Sequence, residues 1–311
     1  MSAMAVAVVN YNTREQLRAC LASVLEDDGH DVVVADNGST DGSLEMLRDE
    51  YPTVRVIVNR ANPGYGAASN AAIAATGSEY VLLLNSDAIL QPGALDALCR
   101  HLDTHPRAGI VGPRLLNADG TLQRSLHQFP SPLVTLLDYS WVGPVVGHVP
   151  GLRKLYLASD SHRVAKRVPW VTGAALAIRR AAFDAVGGFD PAFFMYYEEV
   201  DLSYRLAAAG WETHFTPSAS VVHVGGASTS QRRDAMYAQQ IAAAIQYSQR
   251  HHSRAAVALT RWVLRFSLAS RLAGDTVRLT VSRDDADRRR LAENISMLRQ
   301  MVRGPWQALT R

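Results

Sequence analysis

Four short apolar runs, at 5–9, 32–35, 54–58 (broken only by Arg55) and 81–84, alternate with helically periodic stretches at 15–25, 44–51 and 65–75. No other feature restricts the possible folds as much. A strand that is apolar along its whole length is buried on both faces, which requires a largely parallel sheet with helices on either side. A helical stretch at 92–102 and a further strand at 109–111 continue the rhythm. The expected class is α/β, a doubly wound, mostly parallel sheet between helices. With 311 residues, 48% of them hydrophobic, a sizeable core can be built.

Ligands of such sheets collect at the carboxyl ends of the strands. Here the first run ends in Asn10-Tyr11-Asn12 and the second in Asp36-Asn37-Gly38-Ser39. The third is followed by Asn59 to Gly64, and the fourth ends in Asn85-Ser86-Asp87. Four strands with four polar ends describe the edge of a binding cleft. Asp87 is the sharpest case, a carboxylate at the end of a buried strand with no lysine or arginine near it in sequence.

Beyond this core, residues 113–168 are rich in proline and glycine and read as an irregular insertion or lid, where specificity could reside. Order returns with a strand at 170–178, a short helix at 180–186 and a Gly187-Gly188 turn. A helix at 198–209 is stopped by Gly210, and two short strands follow at 212–215 and 220–223. From about residue 230 the chain is helical, with breaks, to its end. The expected division is an α/β domain at 1–229, which carries the strand-end cleft, and a helical C-terminal extension at 230–311.

Cys20 and Cys99 each fall in a helical apolar pattern, so buried free thiols and a reducing compartment are expected. The apolar N-terminus lacks a basic leader and reads as a first strand. No stretch approaches the roughly 18 uninterrupted apolar residues of a membrane-spanning helix. The net charge of +3 does not call for nucleic acid.

Asp87 suits a hard divalent cation, which takes one or two carboxylates plus substrate phosphates; the alternative is a helix cap, for which it lies too far from Pro92. Glu198, Glu199 and Asp201 open a helix, whose N-terminus favours ionised carboxylates. Glu198 and Glu199 point about 100° apart, so one of them faces the cleft squarely, and Asp201 can pair with Arg205. His223 closes an apolar run before Gly225-Gly226 and either completes a metal site or is structural. Gly64 and Gly66 open a small-residue helix and permit close approach of a phosphate or sugar.

Taken in order and with their gaps, Val9 to Asn12, Asp36 to Gly42, Asn62 to Gly66, Asn85 to Asp87, Gly173 and Tyr197 to Asp201 resemble family 2 inverting glycosyltransferases of the GT-A fold, and among them bacterial cell-wall and O-antigen rhamnosyltransferases. The resemblance implies a nucleotide-sugar donor, dTDP-rhamnose first and then UDP- or GDP-sugars. It implies a lipid-linked or polysaccharide acceptor and a divalent metal, Mn2+ or Mg2+. Asp36 would read the pyrimidine, with Asn10, Asn12, Asn62 and Gly64 along the nucleoside and Asn85, Ser86 and Gly173 near the donor. Asp87 would hold the metal, joined by His223. Asn85 stands where the family has a first acid, which keeps an oxygen and loses a charge. Glu199 would be the base, with Glu198 the alternative, and Trp170 and Tyr196 would meet the acceptor.

The C-terminal stretch 254–272 carries Val257, Thr260, Leu264, Leu268 and Leu272 at helical spacing, with arginines between them and Trp262 and Phe266 one turn apart. It reads either as an interfacial helix on anionic lipid or as a packed helix. A second helix at 285–302 could dimerise or dock. The expected location is cytoplasmic and peripheral at the inner membrane surface. Two other readings remain. A sugar-nucleotide nucleotidyltransferase would need a basic glycine-rich loop after the first strand, where Asn10 to Thr13 stand instead. A non-catalytic carbohydrate- or nucleotide-binding module would be expected to have lost some of Asp36, Asp87, Glu199 and His223.

Overall fold

The computed structural model describes residues 4–26, 29–140, 162–226 and 233–303. The chain divides into two compact units, 1–127 with 159–231, and 128–158 with 232–311.

The first unit begins with β1 (Met4–Asn10), α1 (Arg14–Leu25), β2 (Val32–Asp36), α2 (Ser43–Glu50), β3 (Arg55–Val58), α3 (Tyr65–Ala74) and β4 (Tyr80–Asn85). All seven residues of β1 and all five of β2 are buried. Met4, Val6 and Val8 of β1 join the cluster built with Leu17, Leu21 and Val24 of α1. The alternate positions Ala5 and Ala7 turn to the other face, where the alanine-rich α3 packs on β1 and β2. Small side chains on both partners let helix and sheet approach closely, and this is how the doubly wound arrangement arises.

The chain then forms β5 (Ala88–Leu90), α4 (Ala94–Thr104), β6 (Ala108–Leu116), β7 (Leu122–Gln123) and β8 (Leu126–His127). After α5 (Pro132–Tyr139) come β9 (Lys166–Val168), β10 (Trp170–Val171), β11 (Ala175–Arg179), α6 (Arg180–Ala185), α7 (Glu198–Ala208) and β12 (Glu212–His223). The main sheet runs β3-β2-β1-β4-β11-β6-β12-β5. The pairs among β1 to β4 and the β6–β12 pair are parallel, while β11 and β5 run against their neighbours.

Four local expectations are corrected. The stretch 170–178 is two strands, because the chain turns at Gly173 and Ala174; β10 pairs with β8 and β11 enters the main sheet. The strands expected at 212–215 and 220–223 are one strand with a register shift between Thr216 and Ser220; Pro217, which has no N–H to give, sits in that irregularity. Residues 113–116, read as the start of an irregular insertion, continue β6, and Lys166 to Val168 pair with β12; residues 141–161 lie outside the described set. The three-residue β5 was not anticipated.

The second unit is helical: α5, α8 (Arg233–His251), α9 (Arg254–Val281) and α10 (Asp285–Arg303). Packed against α5, α8 and α10, α9 buries Thr260, Val263, Leu264, Ser267 and Leu268. The side chain of Ser253 accepts from the Ala256 N–H and caps α9, and Ser131 does the same for α5 through Val134. Among the described residues no helix is long and apolar enough to cross a membrane.

Candidate active site

Strand register gathers the polar ends. Asn10 lies opposite Asp36 on β2, and Val9 opposite Asn85 on β4. Because β11 is antiparallel to β4, the Gly173–Ala174 turn opens at this same edge, and the Asn85 N–H donates to the Ala174 carbonyl. β12 arrives there with His223 opposite Ala88 of β5. A cleft of about 230 Å³ lies at this edge.

Beneath it, Asp36 is fully buried. Its Oδ2 accepts from Asn10 Nδ2 at 2.7 Å, and its Oδ1 from the N–H groups of Gly38 and Ser39 at 3.1 and 2.8 Å. Asn12, at φ +52°, accepts from the Thr40 N–H through its side chain and donates its own N–H to Ser39 Oγ. Thr13 Oγ donates to Asn10 Oδ1 and lies 2.7 Å from Ser86 Oγ, joining the first and fourth strand ends. Asn62 Oδ1 accepts from the Gly64 N–H and from Asn37.

Asp87 and His223 face each other. His223 Nδ1 is 2.7 Å from Gln123 Oε1, which can only accept. The neutral ring therefore carries its hydrogen on Nδ1 and its lone pair on Nε2. Nε2 lies 3.3 Å from Asp87 Oδ1, so an imidazole lone pair and a carboxylate oxygen face each other at a spacing that suits a shared cation. Asn85 Nδ2 is 3.5 Å from the same Nε2, and Asn85 Oδ1 is buried with no hydrogen-bond partner among the described residues. An imidazole nitrogen, a carboxylate and an unsatisfied amide oxygen fit a divalent ion of the manganese kind. Gln123 orients the imidazole as groups behind metal-bound histidines do.

The acid pair enters from α7. Its cap, Tyr197, and the preceding Tyr196 both adopt left-handed backbone, at φ +69° and +67°. Such conformations cost about 1–3 kcal/mol each in non-glycine residues and cluster where a site dictates the backbone. The turn presents both Glu198 and Glu199 to the cleft. Burial, and then the charge of Glu199, push the Glu198 carboxyl well above its ordinary range. Burial also raises Glu199, but backbone N–H groups, including that of Gly173, favour its ionised form. Oε2 of each is buried without a hydrogen-bond partner among the described residues. Tyr65, whose hydroxyl donates to the Gly173 carbonyl at 3.2 Å, has its pKa raised by burial and by these acids. Asp201 is spent elsewhere: it holds Arg205 at 2.7 Å, and that guanidinium donates to the carbonyls of Val186 and Gly188.

Of the residues expected from sequence, Asn62, Asn85, Ser86, Asp87, Gly173, Tyr196, Glu198, Glu199 and His223 line one cleft. Asn10, Asn12, Asp36 and Gly64 form the hydrogen-bonded layer behind its wall. Trp170 is not in the lining; it stacks on His127, which burial pushes down to about 3. Gln123, Thr13, Tyr65 and Thr172 were missed. Nothing in the spacing around Gln123 marks it, since its role depends on β7 and the end of β12 both pairing with the end of β6.

Residues 5–187 match the profile of Glycosyl transferase family 2, and residues 152–282 that of Glycosyl transferase family group 2. The chain is 36% identical over 279 residues to the N-acetylglucosaminyl-diphospho-decaprenol L-rhamnosyltransferase of Mycobacterium tuberculosis, covering 86% of this chain and 90% of that protein. It is 24% identical to the rhamnosyltransferase WbbL of Escherichia coli, over 70% of this chain and 82% of the relative. In fold it is similar to a mannosyltransferase of Pyrobaculum calidifontis solved with GDP-Man and Mn2+, with a TM-score of 0.58 at 16% identity, over 99% of this chain and 83% of that one. The expected fold, a GT-A sheet with C-terminal helices, is the fold observed.

Proposed function

The chain belongs to glycosyl transferase family 2 and is a glycosyltransferase; from that premise we propose that it moves L-rhamnose from dTDP-rhamnose onto a lipid-linked, N-acetylglucosamine-bearing acceptor of cell-envelope synthesis, with inversion. The observation that carries the chemistry is the placing of Glu198 and Glu199 in the same cleft as Asp87 and His223. The acid pair supplies a base, and Asp87 with His223 a site for leaving-group charge.

Glu199 is the base. A carboxylate raised toward working pH by burial, yet kept ionisable by backbone N–H donors, suits removal of a proton from an acceptor hydroxyl. As that oxygen bonds to the anomeric carbon, the bond from this carbon to the diphosphate oxygen breaks on the opposite face. The nucleoside diphosphate leaves and the anomeric configuration inverts. Glu198, held protonated, keeps a second negative charge away from Glu199. The Asp36–Asn10 layer fixes the nucleoside end, with Asn62 at the wall. A divalent ion held by Asp87 and His223, with the Asn85 oxygen beside them, would neutralise charge growing on the departing diphosphate.

A lipid-linked acceptor gives a reason for the face of α9 that carries Leu259, Trp262 and Phe266, all about half exposed or more. The Trp262 and Phe266 rings stack at 5.5 Å, and each ring is preceded in the chain by an exposed arginine, Arg261 and Arg265. This composition supports seating on an anionic membrane surface. The stripe through Thr260, Leu264 and Leu268, by contrast, is buried.

The test is calorimetric titration with dTDP-rhamnose in Mn2+, then in EDTA, then with Asp87→Ala. Binding that needs the ion and is lost in the variant supports the donor and the role of Asp87. Binding of UDP- or GDP-sugars instead removes rhamnose. Binding indifferent to both EDTA and the substitution overturns the metal-assisted mechanism.

A further inference from the structure

At the other end of β12 from His223, about 25–30 Å away along the strand, three histidines meet. His101 lies in the last turn of α4 and His105, four residues on, is its C-cap; their rings stack at 4.1 Å. His214, near the start of β12, meets both rings edge-on at 5.2 Å. One ring nitrogen from each residue lies within 4.8 Å of those from the other two. We propose that His101, His105 and His214 bind a divalent transition metal of the zinc class, at a site separate from the cleft.

The hydrogen bonds around His214 and His105 set the tautomers that ligation needs. His214 Nε2 donates to Glu212 Oε2 at 2.9 Å, which leaves the lone pair on Nδ1. His105 Nδ1 donates to the His101 carbonyl at 2.9 Å, which leaves the lone pair on Nε2. A carboxylate or carbonyl behind the imidazole is the usual support for a metal-bound histidine. Glu212 is itself held by Arg167 at 3.3 Å and Arg107 at 3.5 Å. Tetrahedral zinc with bonds of about 2.0–2.1 Å separates its nitrogen ligands by about 3.3 Å. His101 Nε2 and His214 Nδ1 are 3.0 Å apart and share a hydrogen that the His214 tautomer assigns to His101; the ion would replace that hydrogen, with the His101 proton moving to Nδ1 and the stacked His101 and His105 rings turning toward one point. His101 and His214 are buried while His105 is exposed, giving the ion an entry and a water the fourth position. Three imidazoles prefer zinc, nickel or copper to manganese or magnesium, so the two sites do not compete for one ion. A bound ion would tie the last turn of α4 to the first residues of β12.

The test uses the untagged full chain, stripped with EDTA, desalted and titrated with Zn2+ in the absence of any nucleotide sugar, with Co2+ as the spectroscopic probe. The expected result is one equivalent bound, the visible bands of tetrahedral cobalt, and a thermal transition raised by zinc. His105→Ala, at an exposed position that leaves the fold intact, loses at least about 100-fold in affinity, and Glu212→Gln loses about 10–100-fold. Asp87→Ala keeps the site. No uptake by the parent chain, equal uptake by His105→Ala, or uptake lost in Asp87→Ala overturns the proposal; the first two leave the trio a hydrogen-bonded cluster.

Discussion

Gly64→Ala should be among the most damaging single-methyl additions in the catalytic unit. Gly64 has φ +92° and ψ 169°, a region open essentially to glycine alone. A Cβ there would lie 2.9 Å from the carbonyl carbon and Cα of Phe194, and closer still to its carbonyl oxygen. These are backbone atoms and cannot rotate away. That oxygen also accepts from the Tyr65 N–H at 2.8 Å, so relieving the clash breaks a hydrogen bond. The backbone cost is about 1–3 kcal/mol, overpacking about 1–3 kcal/mol, and the hydrogen bond about 1 kcal/mol. The expected loss is about 3–7 kcal/mol, or roughly 10 °C or more in Tm. Because residue 194 leads into the Tyr196-Tyr197 turn, kcat/KM should fall as well. Differential scanning calorimetry and steady-state kinetics read both effects. The control is Gly77→Ala, where φ is ordinary and nothing lies within 4 Å, and the change should stay within about 0.5 kcal/mol. A Gly64→Ala protein as stable as Gly77→Ala would refute the reasoning. So would rescue by Phe194→Ala, since that would locate the conflict in the side chain.

Gln123→Leu, which removes the acceptor behind His223 Nδ1, should raise the Mn2+ concentration for half-activity about 10–100-fold; an unchanged metal dependence excludes the orienting role. Glu199 must be ionised to act and its pKa is raised, so activity should be lost as pH falls through a value above the ordinary 4.5; an acid limb at or below 4.5 contradicts the assignment. Glu198 is also raised, so the folded state holds its proton longer than the unfolded state does, and the associated stability is present below the unfolded pKa and lost as pH rises through the folded one. Glu198→Gln should therefore be more stable than the parent at pH 8, with the gap closing below about pH 4; thermal melts across pH decide. Arg205→Met leaves Asp201, only 1% exposed, without its ion pair and should cost about 3 kcal/mol in denaturant unfolding; a loss under 1 kcal/mol would show the pair to be dispensable.

The strands apolar at every position could be read directly, because burial on both faces leaves no other pattern. The cleft was legible for a related reason: strand ends that carry Asn85, Asp87 or His223 must meet something other than core. What escaped depends on contacts distant in sequence. Pro217 signals a break locally, yet β12 runs through it because β6 pairs with it on both sides of the irregularity. Gly173 sits inside an apolar stretch and gives no hint that the chain turns there to bring its N–H to Glu199. Gln123 is an unremarkable polar residue until β7 and β12 both pair with the end of β6. The histidine trio combines an i,i+4 pair with a residue more than a hundred positions later, and only the tertiary fold joins them.

The two left-handed tyrosines bear on attempts to improve this protein. Each is a place where glycine would relax the backbone, so a screen rewarding heat resistance alone should recover Tyr196→Gly or Tyr197→Gly early. Such variants would loosen the aim of the two glutamates while raising the melting point. Thermal robustness and turnover would then diverge in one lineage, and a selection that scores both should leave this tyrosine pair untouched.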